Sequence, residues 1–151
     1  MNPALEQHRL MHGLNDAERT RLLDCAEPHH YAVGTPVLRQ GQAANRLVLI
    51  TAGRVEVRLS GAGARVTSLE TLGPGETLGW SWYVPPGRWQ FDSWALEATD
   101  TLEFEAGCLR SAMSQEHAIT EAVLGELVHT LAHRLTAARL RLLDLYANPG
   151  S

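Results

Sequence analysis

The spacing of apolar and polar positions changes period twice along this chain. Near the N-terminus, Asn15 is followed three residues later by Glu18, and Leu22, Leu23 and Ala26 come next. This order predicts a capping box opening a short helix of about ten residues. From His30 to about Glu105 the chain becomes a series of short runs rich in Val, Leu, Thr and aromatics, each bounded by glycine. Segments 46–52 and 54–60 read as two strands about Gly53, the second with Val55, Val57 and Leu59 on one face and Glu56 and Arg58 on the other. Gly61 to Ala64 reads as a hairpin loop, 65–72 as the next strand, Gly73 to Glu76 as a turn, and 88–97 and 101–105 as two further strands. About eight strands at this spacing predict a sandwich or a rolled barrel.

Helical period then returns. Residues 106–113 predict a short helix, Ser114 an N-cap, and Glu116 to Tyr146 one uninterrupted helix containing a single glycine, Gly125. At 1.5 Å per residue that rod is roughly 46 Å long, more than a small roll needs to cover itself. Val128, Leu131, Leu135, Ala138, Leu142 and Leu145 recur along it at spacings of 3, 4, 3, 4 and 3. That is the spacing of a two-helix seam and predicts a homodimer. A second stripe, Ile119, Val123 and Leu127, suits packing on the roll. The other arrangement has both stripes packing on their own domain.

Composition narrows the class. With 151 residues, 44% of them hydrophobic, the chain supports one well-buried domain and not two. A net charge of −4 disfavours a phosphate backbone as partner, and all thirteen basic residues are arginine. The opening MNPALEQHRL lacks a signal-like apolar run and no window approaches a membrane span, so a cytoplasmic protein without membrane contact is expected. Cys25 and Cys108 lack metal-ligand spacing and fit either two reduced core thiols or a pair.

Candidate chemistry concentrates in Gly79 to Asp92, GWSWYVPPGRWQFD, which holds three of the chain's four tryptophans. A glycine after a strand lets backbone approach an anion, and a short helical turn through Ser81, Trp82 and Tyr83 would aim free amides at it. Pro85-Pro86-Gly87 stops the turn, and Arg88 then offers a planar fork to phosphate or carboxylate as it enters the next strand. Asp92 reads as an exposed or edge carboxylate. No histidine lies between Tyr31 and Glu116, which excludes a histidine-based metal centre on the strands. His129 and His133 stand one helical turn apart without an evident third ligand, and His29-His30 opens a strand. Neither a nucleophile elbow, a P-loop nor a paired-carboxylate motif is present, so no catalytic residue and no metal site is assigned and an enzyme is not expected.

Tyr31-x-x-Gly34, Arg39-Gln40-Gly41, Leu47-x-Leu49-Ile50-x-x-Gly53-Arg54-Val55 and Leu72-Gly73-Pro74-Gly75-Glu76-x-x-Gly79 together resemble the cyclic nucleotide-binding domain of the Crp/Fnr regulators and of related kinase and channel sensors. The likeness runs from roughly Leu14 to Tyr146. It implies a mainly β domain with flanking helices: an N-terminal helical part (1–27), an eight-stranded, jelly-roll-like β-roll (28–105) and C-terminal helices (106–146). The stretch 79–92 then corresponds to the phosphate-binding cassette, with Gly79, Trp80, Ser81, Trp82, Arg88 and Trp89 as the ligand-binding set and Arg88 facing inward to hold the phosphate. The implied ligand is cyclic AMP, cyclic GMP or another small anion, with no cofactor required.

The sequence departs from the family at three places. Trp80 replaces the glutamate that accepts a hydrogen bond from the ribose hydroxyl, and an indole can only donate. Trp89 replaces a small residue, and Ala138 and Arg139 replace polar residues turned toward the base. A buried ribose hydroxyl without its acceptor loses about 1 to 3 kcal/mol. Two expectations follow: a dimeric sensor acting on a partner protein, or a structural interaction domain whose pocket is filled by tryptophans. In Crp/Fnr regulators a helix-turn-helix follows the long helix, whereas this sequence runs out at Ala147 to Ser151, so a stand-alone module without direct DNA binding is expected. Arg134, Arg139 and Arg141 read as a solvated flank of the helix.

Overall fold

The computed structural model describes residues 3–60 and 66–147, so the loop expected at Gly61 to Ala64 lies outside the described residues. After α1 (Pro3–Glu6) and a 3-10 turn (Arg9–Met11), the capping box forms as its residues dictate. The Asn15 side chain accepts from the Glu18 amide and the Glu18 carboxylate accepts from the Asn15 amide, each at 2.8 Å, opening α2 (Asp16–Leu23).

Among the described residues eight strands make two antiparallel sheets. One orders β1 (Ala26–Tyr31), β8 (Thr99–Glu105), β3 (Arg46–Ala52) and β6 (Thr77–Leu78). The other orders β2 (Pro36–Leu38), β7 (Asp92–Ala95), β4 (Val55–Ser60) and β5 (Val66–Leu72). The chain continues into α3 (Ala106–Gln115) and α4 (His117–Ala147). This is the mainly β roll with a long C-terminal helix that the glycine framework implied.

β3 explains the layering. Leu47, Val48, Leu49 and Ile50 are all buried, which a strand achieves only when both of its faces are covered. Leu47 and Leu49 pack with Phe104, Leu109, Ile119 and Val123 under the helices. Val48 and Ile50 turn the other way, into a core between the sheets with Val37, Val55, Val57, Leu78 and Trp89. The roll-facing stripe of α4 is therefore buried as its spacing requires, with Ile119 and Val123 fully enclosed.

Local expectations change at the strand 88–97 and at the Ser114 boundary, and the alternative left open for the two cysteines is decided. The strand expected at 88–97 shrinks to Asp92–Ala95, with Arg88 contributing only a bridge to Ala43, because residue 89 leaves the strand surface for the core. Ser114 does not cap α4, since α3 runs through it to Gln115. The break falls at Glu116, whose carbonyl accepts from the amides of Ile119 and Thr120. Cys25 and Cys108 form a disulfide.

The arginines of α4 are also not a simple solvated flank. Arg134 Nε lies 2.8 Å from Glu70 Oε1, both side chains being largely buried, and Arg141 donates to the Leu69 carbonyl at 2.9 Å. About two turns before Arg134, the enclosed Glu126 carboxylate accepts from Arg9 Nε (2.9 Å), Arg9 Nη2 (3.1 Å) and Thr77 Oγ1 (2.9 Å). A buried carboxylate is tolerated only when its lone pairs are taken in this way, so Glu126 latches α4 to β6.

Candidate functional site

The cassette starts where β6 ends. Gly79 has φ +91°, a left-handed conformation, and a Cβ there would stand 2.9 Å from the Arg46 carbonyl and 3.1 Å from the Trp89 ring. Only glycine satisfies both conditions. The chain then makes the expected short turn, a 3-10 helix over Trp80–Trp82, and passes a cis Pro85–Pro86 bond.

The three indoles of this stretch have three destinations. Trp82 is buried in the helix-side core, with the Arg110 guanidinium over its face and donating to its carbonyl. Trp80 is half-buried at its edge. Trp89, 4% exposed, inserts between the two sheets and rests on Gly79.

Trp89 is backed by a charged cluster. The Arg46 guanidinium stands 5.9 Å from its ring centroid, held by Glu103 Oε1 at 2.6 Å and the Val37 carbonyl at 2.7 Å. Glu103, itself buried, also accepts from Tyr31 Oη at 2.5 Å and Thr101 Oγ1 at 2.7 Å. Burial first, and then the hydrogen bond and charge of Glu103, push the Tyr31 phenol up to about 12, against a smaller opposing pull from Arg46.

Arg88, expected to face inward, lies at the surface and donates from Nη1 to the Gly41 carbonyl at 2.8 Å. The reason is parity: neighbouring residues of extended chain point to opposite sides, and Trp89 has taken the inside. The cavity left among Gly79, Trp80, Ser81, Trp89 and Phe91 measures about 20 Å³. The cation that does line it is Arg134, reaching across from α4. Burial lowers the Arg134 pKa from its ordinary value, opposed by the charges of Glu70 and Glu76. Arg134 was legible in principle, because it continues the roll-facing positions Leu127 and Thr130 at helical spacing. Arg46 left no such signal, since it opens an apolar strand. Asp92 is half-buried at the start of β7, and its Oδ1 accepts from the Gln40 amide at 2.7 Å.

Beside the cassette runs a larger groove of about 470 Å³ between roll and helix. Val57, Leu69, Trp80 and Phe91 line one wall, and Leu131, Leu135, Ala138, Leu142 and Leu145 the other. On the helix, Val128, Leu135, Leu142 and Leu145 are more than half exposed and Leu131 is 39% exposed. The His129 and His133 rings are tilted at 49° to each other, with centroids 6.3 Å apart. Among the described residues no three His, Cys, Asp or Glu side chains are grouped to hold a metal ion, and no helix is long and apolar enough to cross a membrane.

The chain is 29% identical over 136 residues to the Cyclic AMP receptor protein of Thermus thermophilus, a match covering 90% of this chain and 59% of the relative. It thus spans about three fifths of that protein. Its fold superposes on the crystal structure of the Thermus thermophilus Catabolite Activator Protein with a TM-score of 0.72 at 27% identity, covering 92% of this chain and 63% of the other. A cyclic nucleotide-binding domain from Methylobacillus flagellatus shares the fold at a TM-score of 0.80 and 18% identity, over 93% of this chain and 79% of that one. Most of β1, the other seven strands, the cassette and α3 fall within residues 28–116, which match the model of the cyclic nucleotide-binding domain, and the chain belongs to that family.

Proposed function

We propose that this chain is a regulatory module that works without a bound nucleotide, its cassette closed by Trp89, and that it pairs with a second copy through α4 and acts on a partner protein in that form. The observation that carries this reading is the seat of Trp89. The cavity at the cassette turn, about 20 Å³, accommodates roughly one water; the adjoining groove of about 470 Å³ falls in the size range of ligand pockets, about 300 to 1,000 Å³, but its walls are mostly apolar and Arg88 is not among them. The guanidinium that would grip a phosphate is outside and engaged with Gly41. The apolar wall of the groove and the exposed seam of α4 together suit a second α4 lying in the groove. Each large apolar residue so covered contributes about 1.5 to 3 kcal/mol before association costs are subtracted.

Calorimetry and thermal shift with millimolar cyclic AMP and cyclic GMP test the first half. The expected result is no heat and no shift, and micromolar binding that Arg88→Ala abolishes would overturn the reading. Sedimentation tests the second half: the wild type is expected at dimer mass and Leu135→Glu at monomer mass. Equal masses would remove the seam. A second reading, a receptor for a small anion, is favoured by Arg134, which lines the larger groove as well as the cassette cavity. A thermal shift with inorganic phosphate that disappears in Arg134→Gln would select it.

A further inference from the structure

Arg21, on the last turn of α2, is held over the Cys25–Cys108 bond in a way that structural cross-linking does not require. Its Nη1 lies 3.8 Å from Cys25 Sγ and 3.7 Å from Cys108 Sγ. Its Nη2 is tethered by Ser111 Oγ at 3.4 Å and Gln115 Oε1 at 3.3 Å, both from α3. A neutral disulfide sulfur gains little from a cation at that distance, whereas a thiolate gains a charge-assisted contact. The arrangement therefore favours the reduced, ionised form.

Access is unequal. Cys25 is 5% exposed, Cys108 is half-buried, and both border a cleft of about 390 Å³. Asp24, Glu27, Glu105, His29 and Arg46 share that cleft. The Glu105 carboxylate also accepts from the Cys108 amide at 2.6 Å, so the start of α3 is already neutralised and the cation that counts is Arg21. With four carboxylates on its walls, Asp24, Glu27, Glu103 and Glu105, of which Arg46 pairs only Glu103, the cleft repels an anionic reductant and admits a neutral one.

We infer that Cys25–Cys108 is a redox-active pair, reduced through this cleft by a small neutral dithiol, with Arg21 stabilising the thiolate that is released. The dithiol enters neutral and loses one thiol proton to solvent in the cleft; the resulting thiolate attacks Cys108 Sγ, a mixed disulfide forms there, and the Cys25–Cys108 bond breaks with its electron pair leaving on Cys25 beside Arg21. The reductant's second thiolate then attacks its own sulfur in the mixed disulfide and expels the Cys108 thiolate. One protein disulfide and one dithiol thus become two protein thiols and one cyclic disulfide, a transfer of two electrons, the two protons returning from solvent. Reduction unties the chain just ahead of β1 from α3, whose Leu109, Ala112 and Met113 share the core with Ile119 and Val123 of α4. It is independent of whether the cassette takes a ligand.

The test is a redox titration of the full chain in mixtures of oxidised and reduced dithiothreitol, with thiols trapped by a maleimide and counted by mass, and helical content followed by circular dichroism. A reversible two-electron transition with the helical signal retained is expected. Arg21→Gln should shift the equilibrium about tenfold toward the disulfide, which is about 30 mV, while Arg21→Lys stays near wild type. If oxidised Arg21→Gln fails to fold, the double variant Ser111→Ala, Gln115→Ala frees the guanidinium without removing it, and a smaller shift in the same direction is expected. An unshifted midpoint in the folded variant tested, or loss of helical signal on reduction of the wild type, overturns the inference and leaves the pair a structural cross-link.

Discussion

Replacing Trp89 by alanine tests the plugged cassette most directly. A buried tryptophan removes about 150 to 250 Å² from water, which at about 25 cal/mol per Å² amounts to about 4 to 6 kcal/mol. The methyl group of alanine keeps part of this, and the cavity left behind adds a cost that depends on how far the neighbours collapse. Here they have little freedom. Gly79 has no side chain to move in, and Arg46 is fixed by Glu103 and the Val37 carbonyl. We therefore expect a loss near the upper end of the range for large aromatic truncations, about 4 to 5 kcal/mol. In a domain of this size that lowers Tm by about 8 to 20 °C. Urea unfolding followed by far-UV circular dichroism avoids reading the altered tryptophan fluorescence, and an unchanged m-value would show that the native state stayed compact. A loss below about 1 kcal/mol would refute the reasoning, because it would mean the ring lies over space that water or a ligand already occupies.

Gly79→Ala should cost at least about 2 kcal/mol, the left-handed conformation contributing about 1 to 2 and the 2.9 Å approach to the Arg46 carbonyl the rest; wild-type stability in urea would refute it. Glu126→Ala leaves Thr77 and Arg9 without their acceptor and should cost about 2 to 3 kcal/mol, with faster hydrogen exchange in α4 near residue 130 as the local readout. For Tyr31 the folded state raises the phenol from 10.0 to about 12, so the protonated form is the one favoured by folding. Its contribution is complete below pH 10 and fades as pH rises through about 12. Tyr31→Phe should lose about 0.5 to 1.5 kcal/mol at pH 8 and show a shallower decline than wild type between pH 10 and 12. Parallel declines would refute the Glu103 contact.

The sequence carried the architecture because backbone requirements are local. Gly53 and Gly79 hold positive φ against close backbone neighbours, and the Asn15–Glu18 box needs only three residues of separation. The roll-facing stripe of α4 was equally legible, since Ile119, Val123 and Leu127 are spaced by the helix itself. Side-chain orientation in the cassette was not, because it depends on which of two neighbours wins the interior. Arg88 and Trp89 could each have faced inward by chemistry alone, and packing decides for the indole, because its burial is favourable whereas burying an uncompensated guanidinium is costly. The Arg46–Glu103–Tyr31 cluster was hidden for a related reason. Its members lie on three strands, β3, β8 and β1, brought together only by sheet pairing.

Around the cassette, the positions of Trp89, Arg88 and Arg134 form one unit rather than three independent features. The Trp89 ring fits only above a residue without a side chain, its inward turn forces Arg88 outward, and Arg134 meets the remaining space from α4. A nucleotide entering this roll would have to displace Trp89 and reverse the orientation of Arg88 together. If displacement costs about 4 kcal/mol, the open state is populated about one part in a thousand, and any intrinsic affinity is weakened by the same factor. A ligand that would bind an open roll at micromolar concentration would then bind this one only at millimolar concentration. That is why the nucleotide titrations must extend to millimolar concentration, and why Trp89→Ala should be titrated beside the wild type. Tighter nucleotide binding in the variant would show the indole to be the obstacle, whereas no binding in either would assign the obstacle to the outward Arg88.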